Sequence, residues 1–328
     1  MYQRIHRRAL IAAALATPSL AMPSLGWAQA DWPNRPIRFI VAFAAGGAAD
    51  TAARSIAADM QEALGQNIII ENRTGGNAVI AASATLQSPR DGYTFLVDAA
   101  NQLTNPILMR DLPFDYAQSF VPVTQISSFP QVIAVKQDFP AQNLAEFIAL
   151  AKARPNTISV GTPPAAGMAH LALAAFEQKA GIRIVHAPYR GGADAARDIM
   201  AGSIDAALIT TSSIRAPVQA GRARILALTS LERIPSLPDV PTIAESGFPG
   251  FDLNDWNGLF ARTGTPAAII TRLAAVAAVS ARAPAVRARM DPAGAIMVGN
   301  APEAFANWLS IQRGTAAEVI RAAGITLG

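Results

Sequence analysis

Several segments of this 328-residue chain place glycine or hydroxyl residues just ahead of a helical pattern, which is the arrangement that holds an anion. The first is Phe43-Ala44-Ala45-Gly46-Gly47-Ala48-Ala49-Asp50. Its glycines let the backbone approach a ligand closely, and the helix that follows offers unpaired N–H groups at the positive end of its dipole. Asp50 has two readings, a ligand contact or a stabiliser of its own first turn. The lysine and hydroxyl of a nucleotide-binding P-loop are missing, and Gly46-Gly47 does not fit G-x-G-x-x-G.

Four further segments share this logic. Glu71 to Asn77 contains Glu71 and Arg73, spaced to form an ion pair that holds the loop. Thr162 to Met168 leads through Gly167 into a helix carrying His170, a residue that packs structurally at such positions more often than it binds. His186 to Gly192 brings Tyr189, placed to wall a cleft, and Arg190 ahead of a glycine pair. Thr210-Thr211-Ser212-Ser213 closes a strand, where hydroxyls either cap a helix or meet a ligand.

Catalytic and metal chemistry find no assembled motif. There is no cysteine, no G-x-S-x-G around any serine and no S-x-x-K with its partners. Beyond the first thirty residues the only histidines are His170 and His186, sixteen apart and outside metal-ligand spacing. Asp205, inside an expected strand at 204–209, has no partner acid at fixed spacing. No cofactor or metal is expected.

The elements that must position these loops alternate short β-rich runs with longer alanine-rich helical runs, the pattern of mainly parallel sheets covered on both faces. Strands are expected at 37–43, 68–71, 93–97, 131–135, 157–161, 182–186 and 204–209. Helices follow them, several ending at Gly65, Gly181 or Gly202. Asn143 and Glu146 form a capping box. After Thr229 comes a connection with Pro235, Pro238, Pro241 and Pro249, then a helical tail opened by Pro266, Pro284 and Pro302. A helical tail after a second β/α series implies a return to the first domain. The expected lobes are 31–125 plus 255–328, and 126–254.

Arg4, Arg7 and Arg8, the short apolar stretch Ala9 to Ala16 and Ala28-Gln29-Ala30 read as a secretory leader, residues 1–30, cut after Ala30. Arg7-Arg8 suits general or twin-arginine export alike. The chain has 27 basic and 23 acidic residues, and without the leader arginines 24 face 23. No surplus of positive charge remains to hold a phosphate backbone, so nucleic acid is excluded as a partner. Hydrophobic residues make up 51% and charged residues 15%, which without cysteines calls for a large core.

At these loops the sequence resembles the Bug receptors, the substrate-binding proteins of tripartite tricarboxylate transporters. The likeness covers essentially the whole chain beyond the leader. It rests on Trp32-Pro33 leading to Pro36-Ile37, Phe43-x-x-Gly46-Gly47-x-x-Asp50, Glu71-Asn72-Arg73 with Gly75, Asp91-Gly92-Tyr93-Thr94, His186-x-Pro188-Tyr189-x-Gly191 and the run Leu237 to Gly247. The resemblance implies a type II-like, two-lobed α/β periplasmic binding protein whose lobes close on a carboxylate held by backbone N–H groups, helix ends and water. Two loops depart from the pattern. Where the family has G-A-G-G-N, this chain has Gly75-Gly76-Asn77-Ala78-Val79, and Thr162-Pro163-Pro164-Ala165-Ala166-Gly167-Met168 keeps one hydroxyl. That loss of donors implies either a ligand with a larger apolar body than a tricarboxylate or a loop conformation that relies more heavily on backbone donors.

The expected ligand contacts are Phe43, Gly46, Gly47, Asp50, Asn77, Asn101, Thr162, Gly167, His170, Tyr189, Thr210 and Thr211. The expected partners are a small organic carboxylate and integral membrane transporter subunits, with the receptor a periplasmic monomer. Two other classes fit the same sequence: a ligand sensor feeding a signalling system, and a two-lobed hydrolase or lyase.

Overall fold

The computed structural model describes residues 32–163 and 167–326. The expected leader with its cut after Ala30, and Pro164, Ala165 and Ala166 of the third loop, lie outside the described residues.

The first series of elements is β1 (Ile37–Val41), α1 (Ala48–Leu64), β2 (Ile68–Asn72), α2 (Val79–Gln87), β3 (Thr94–Asp98), α3 (Asn101–Leu108), α4 (Tyr116–Ser119) and β4 (Phe120–Phe129). The second runs β5 (Gln131–Lys136), α5 (Leu144–Ala153), β6 (Ser159–Thr162), α6 (Met168–Ala180), β7 (Val185–Pro188) and α7 (Gly192–Ala201). It ends with β8 (Ala206–Thr210), α8 (Thr211–Gln219) and β9 (Ala223–Leu228). The tail holds β10 (Asp255–Arg262), α9 (Ala267–Ser280), α10 (Pro284–Met290), β11 (Ile296–Met297) and α11 (Pro302–Ala323).

These strands form two sheets, in the orders β11-β4-β10-β3-β1-β2 and β7-β6-β8-β5-β9. By strand direction both are mainly parallel, and each is interrupted by an inserted antiparallel strand. In the first, β10 runs antiparallel between β3 and β4. In the second, β5 runs antiparallel between β8 and β9. β10 comes from the tail and β5 from the start of the second series, so neither sheet is a simple βαβ repeat.

Glycines end α1, α6 and α7, with Gly65, Gly181 and Gly202 in the left-handed region as the spacing predicts. The capping box forms: Asn143 Oδ1 accepts from Glu146 N at 2.9 Å, and Glu146 Oε2 accepts from Gln142 N at 2.7 Å. Several strands start later than expected, β3 at Thr94 and β6 at Ser159 among them, and for β7 and β8 the reason is visible. Ile182 N is still bonded to Glu177 O, and Ile184 N donates to the Glu177 carboxylate, so β7 begins only at Val185. Ser203 N likewise bonds Asp198 O at the end of α7, and β8 begins at Ala206. Asp205, just outside that strand, is a structural residue: it pairs with Lys136 at 2.9 Å and accepts from Ser159 N and Oγ.

The core is continuous between the sheets. Ile40 and Leu96 of the first, Ile133 and Leu226 of the second, Phe176 of α6 and Val319 of α11 belong to one buried cluster. Trp256 on β10 packs edge-on to Phe305 and Trp308 of α11 at 5.8 and 5.2 Å. Gly258 leaves room for this, because a Cβ there would run into the Phe305 ring.

The chain passes between the sheets at Pro130 and again between β9 and β10. At the crossing Asp255 pairs with Phe129. Thr229 ties the two passages together: its Oγ1 accepts from Gln131 N at 3.0 Å and donates to Asn254 Oδ1 at 2.8 Å, while its backbone N–H donates to Gln131 O. Thr229 is completely buried, so these groups have no water to replace it. Replacing it with the isosteric valine, Thr229→Val, is expected to cost about 1–3 kcal/mol, read as a lower urea midpoint with unchanged m-value.

Candidate ligand-binding cleft

The loops that follow β3, β6, β7 and β8 meet around a cavity of about 330 Å³ flanked by both sheets. Four helices begin at its wall. Ala100 and Asn101 start α3, Gly167 and Met168 start α6, Gly191 and Gly192 start α7, and Thr210 precedes α8. None of the four N-caps makes a side-chain capping bond. The positive ends of four dipoles therefore meet at one space, although Thr211 N of α8 is bonded to Pro130 O and Gln102 N and Leu103 N of α3 to Ala99 O and Ala100 O. The sequence supplies this because glycine, alanine and a self-occupied threonine stand where Ser, Asp or Asn would otherwise satisfy the helix end. Thr210 Oγ1 is engaged with Ser213 Oγ at 2.9 Å and Ser212 Oγ at 3.1 Å. Gly192 brings α7 close to α8, since a Cβ there would meet Ser213 Oγ.

Of the twelve expected contacts, Phe43, Asn77, Asn101, Gly167 and Thr210 line this cavity. Gly46, Gly47, Asp50, Thr162, His170, Tyr189 and Thr211 are not among its lining residues. Asp50 is buried: one carboxylate oxygen accepts from Gly46 N at 2.9 Å and Arg54 Nε at 2.9 Å, the other from Asn72 Nδ2 at 2.9 Å. Burial raises the Asp50 pKa, but Arg54, Gly46 and Asn72 outweigh it and hold the carboxyl below its usual value. Asn72 Nδ2 also reaches Phe43 O, so this network sets the path of the first loop, with Gly46 left-handed at φ 80°. The Glu71–Arg73 pair forms at 2.6 Å but is solvent-exposed.

Tyr189 donates its hydroxyl to Asp198 at 2.7 Å, and burial followed by that carboxylate pushes its pKa up to about 12. Thr162 Oγ1 lies 2.6 Å from His186 Nε2, and the ring of His186 stacks on that of His170 with centroids 4.0 Å apart. Burial first, and then the neighbouring His186, lower His170 to about 4. Burial lowers His186 too, so the pair is neutral in the folded state. Thr211 is buried behind Thr210, against Gly294 of the turn that precedes β11.

The departure at Asn77-Ala78 has a backbone consequence. Gly75, Gly76, Asn77 and Ala78 all have positive φ, with Asn77 at 49° and Ala78 at 72°. The loop thus keeps a conformation suited to glycine while carrying side chains. Asn101 Nδ2 and Asn105 Nδ2 hold it by donating to Asn77 O at 3.1 and 2.7 Å, and Asn105 also bonds Tyr116 Oη at 2.9 Å.

Several cavity residues escaped the sequence reading. Asn105, one turn beyond Asn101 on the same helix face, carried a usable signal in that spacing. Gln131 and Asp255 come from the strands of the crossing and share no sequence motif with the loops. Below the start of α3, buried Asp98 accepts from Ala99 N and Gln102 Nε2, and burial pushes its carboxyl up to about 7.

Two outcomes follow. Ala78→Gly should leave the urea midpoint nearly unchanged, because relief of left-handed strain offsets the loss of a buried methyl, whereas Ala78→Val should cost about 2 kcal/mol or more. For the histidines, the folded pKa lies below the unfolded value, so their contribution is complete above about pH 6.5 and is lost as pH falls toward 4. His170→Phe keeps the ring stack without the titration. Its stability should gain on wild type by about 1–2 kcal/mol between pH 6.5 and 5, measured by chemical denaturation.

Comparison with known proteins agrees with this architecture. Residues 52–313 match the family described as the tripartite tricarboxylate transporter family receptor. The chain is 33% identical to protein BugT of Bordetella pertussis over 244 residues, 74% of this chain and 75% of that one. A solved R. palustris structure with adipate is similar at 32% identity and TM-score 0.75, over 90% of this chain and 99% of that one. MatC from Rhodopseudomonas palustris with bound malate is similar at 26% identity and TM-score 0.70, over 88% of this chain and 100% of that one. These are receptors and binding proteins rather than enzymes, which removes the hydrolase or lyase alternative. The chain belongs to the tripartite tricarboxylate transporter family of receptors, the Bug-type solute-binding proteins.

Proposed function

We propose that this receptor captures a small organic carboxylate in the cavity between its sheets and delivers it, in the periplasm, to integral membrane subunits of a tripartite transporter. The observation that carries the reading is the convergence of four helix starts without side-chain caps on one space. A carboxylate there takes the unpaired N–H groups and the favourable dipole ends, and it needs no arginine in the first loop. The relatives with adipate and malate support the ligand class.

Residues 1–30 serve as the export leader in this reading, and the mature receptor acts as a monomer. Its lobes, 31–125 plus 255–328 and 126–254, close about the crossing at Pro130 and Thr229. Phe43, Asn77, Asn101, Gly167 and Thr210 meet the ligand. Gly46, Gly47, Asp50, Thr162, His170, Tyr189 and Thr211 shape the loops behind them. Phe43, Pro163 and Met168 give the cavity an apolar side, which suits a linear acid better than a compact tricarboxylate.

Thermal-shift titration tests the reading. Adipate or malate at a hundredfold excess over its Kd should add about 2.7 kcal/mol of stability, and the matching diamides should add nothing. Stabilisation by the amides as strongly as by the acids, or by no acid at all, would sink the proposal.

A further inference from the structure

The cavity that gathers four helix starts also holds a carboxylate. Asp255, at the start of β10, lines it and accepts one protein hydrogen bond among the described residues, from Trp256 N at 2.9 Å. No lysine or arginine of the described residues pairs with it. Of the other described lining residues Arg190 alone is charged, and it is exposed on the loop after β7. The neighbouring strand β3, which pairs with β10 at Gly258, brings buried Asp98, a second carboxyl and not a cation. His170 of α6 and His186 of β7 are neutral and do not line the space. Burial pushes the Asp255 carboxyl up to about 6, which leaves it mostly ionised at neutral pH. A cavity of about 330 Å³ is roughly 9 Å across, and at that range, with an effective dielectric constant of about 20, a bound carboxylate raises the proton affinity of Asp255 about 25-fold or more.

We propose that the receptor takes up a proton together with its ligand and that Asp255 is the group that receives it. Solvent supplies the proton, the Asp255 carboxylate becomes a carboxylic acid, and its O–H donates to an oxygen of the bound acid. This rests on the carboxylate reading above and adds a pH dependence to it. Ionised, Asp255 is an acceptor that repels the ligand; protonated, it is a neutral donor on the same wall. Because the complex holds the proton more tightly than the free receptor does, affinity falls as pH rises. An acidic medium therefore favours capture and an alkaline one favours release.

Calorimetric titration of the purified receptor with adipate and with malate, each in two buffers of different ionisation enthalpy, counts the protons. At pH 7 about half a proton or more should be taken up per ligand bound, and Kd should weaken about fivefold or more between pH 6.5 and 8.5. Asp255→Asn keeps an acceptor for Trp256 N; it should take up less than about 0.2 protons and bind about fivefold or more tighter than wild type at pH 8.5. Asp255→Ser serves the same purpose if the asparagine variant is unstable. No uptake by wild type would overturn the inference alone, and so would uptake that survives in both variants and therefore belongs to Asp98 or the histidines. Weaker binding by Asp255→Asn at pH 8.5 would also overturn it, because the ionised carboxylate would then be attracting the ligand. Binding of neither acid at any pH would overturn it together with the carboxylate reading.

Discussion

The antiparallel pairing of β4 with β10 is the contact on which the remaining architecture depends. It brings a strand of the tail back beside the strand that leads into the second sheet, with Asp255 opposite Phe129 at the point of crossing. Pro130 has no N–H to offer a ladder, so the chain bends from one sheet to the next there. Thr229 then joins the returning passage to Gln131 through both its hydroxyl and its backbone. These buried bonds tie the two passages together, and the cavity is lined by loops of both sheets.

Within that frame the electrostatics are divided by element type. Loops at the ends of strands bring helix starts, whose partial positive charge is part of the backbone and costs no buried cation. The crossing strands bring side chains instead, and two of these, Asp255 and Gln131, are acceptors. Polar networks such as Asp50 with Asn72 and Arg54 hold the loops in place, and Asp50 is not among the residues lining the cavity. Fixing loop geometry from behind keeps charged side chains available for structure while backbone donors remain free for binding.

Much of this was legible in the residues. Gly65, Gly181 and Gly202 ended their helices as placed, the Asn143–Glu146 box formed, and the loop containing Thr162 and Gly167 does begin a helix at the cavity. Helix starts are local events, governed by caps, glycines and periodicity within a few residues. The side-chain roles were less legible. Asp50 and Tyr189 read as cleft residues because they sit in the right loops; that their polar atoms bond Asn72 and Asp198 is visible only in the fold.

The sequence alone determined two β/α series, a largely helical tail and glycine-bearing helix starts, since each follows from neighbours close along the chain. It could not place β10 between β3 and β4, nor β5 between β8 and β9, because strand insertion depends on partners far away in sequence. Only the tertiary structure brought Gln131 and Asp255, more than a hundred residues apart, to the lining of one cavity with the helix starts. Burial is the physical reason: buried Gln131 and half-buried Asp255 give up water that exposed side chains would keep, and only the folded chain decides which residues those are.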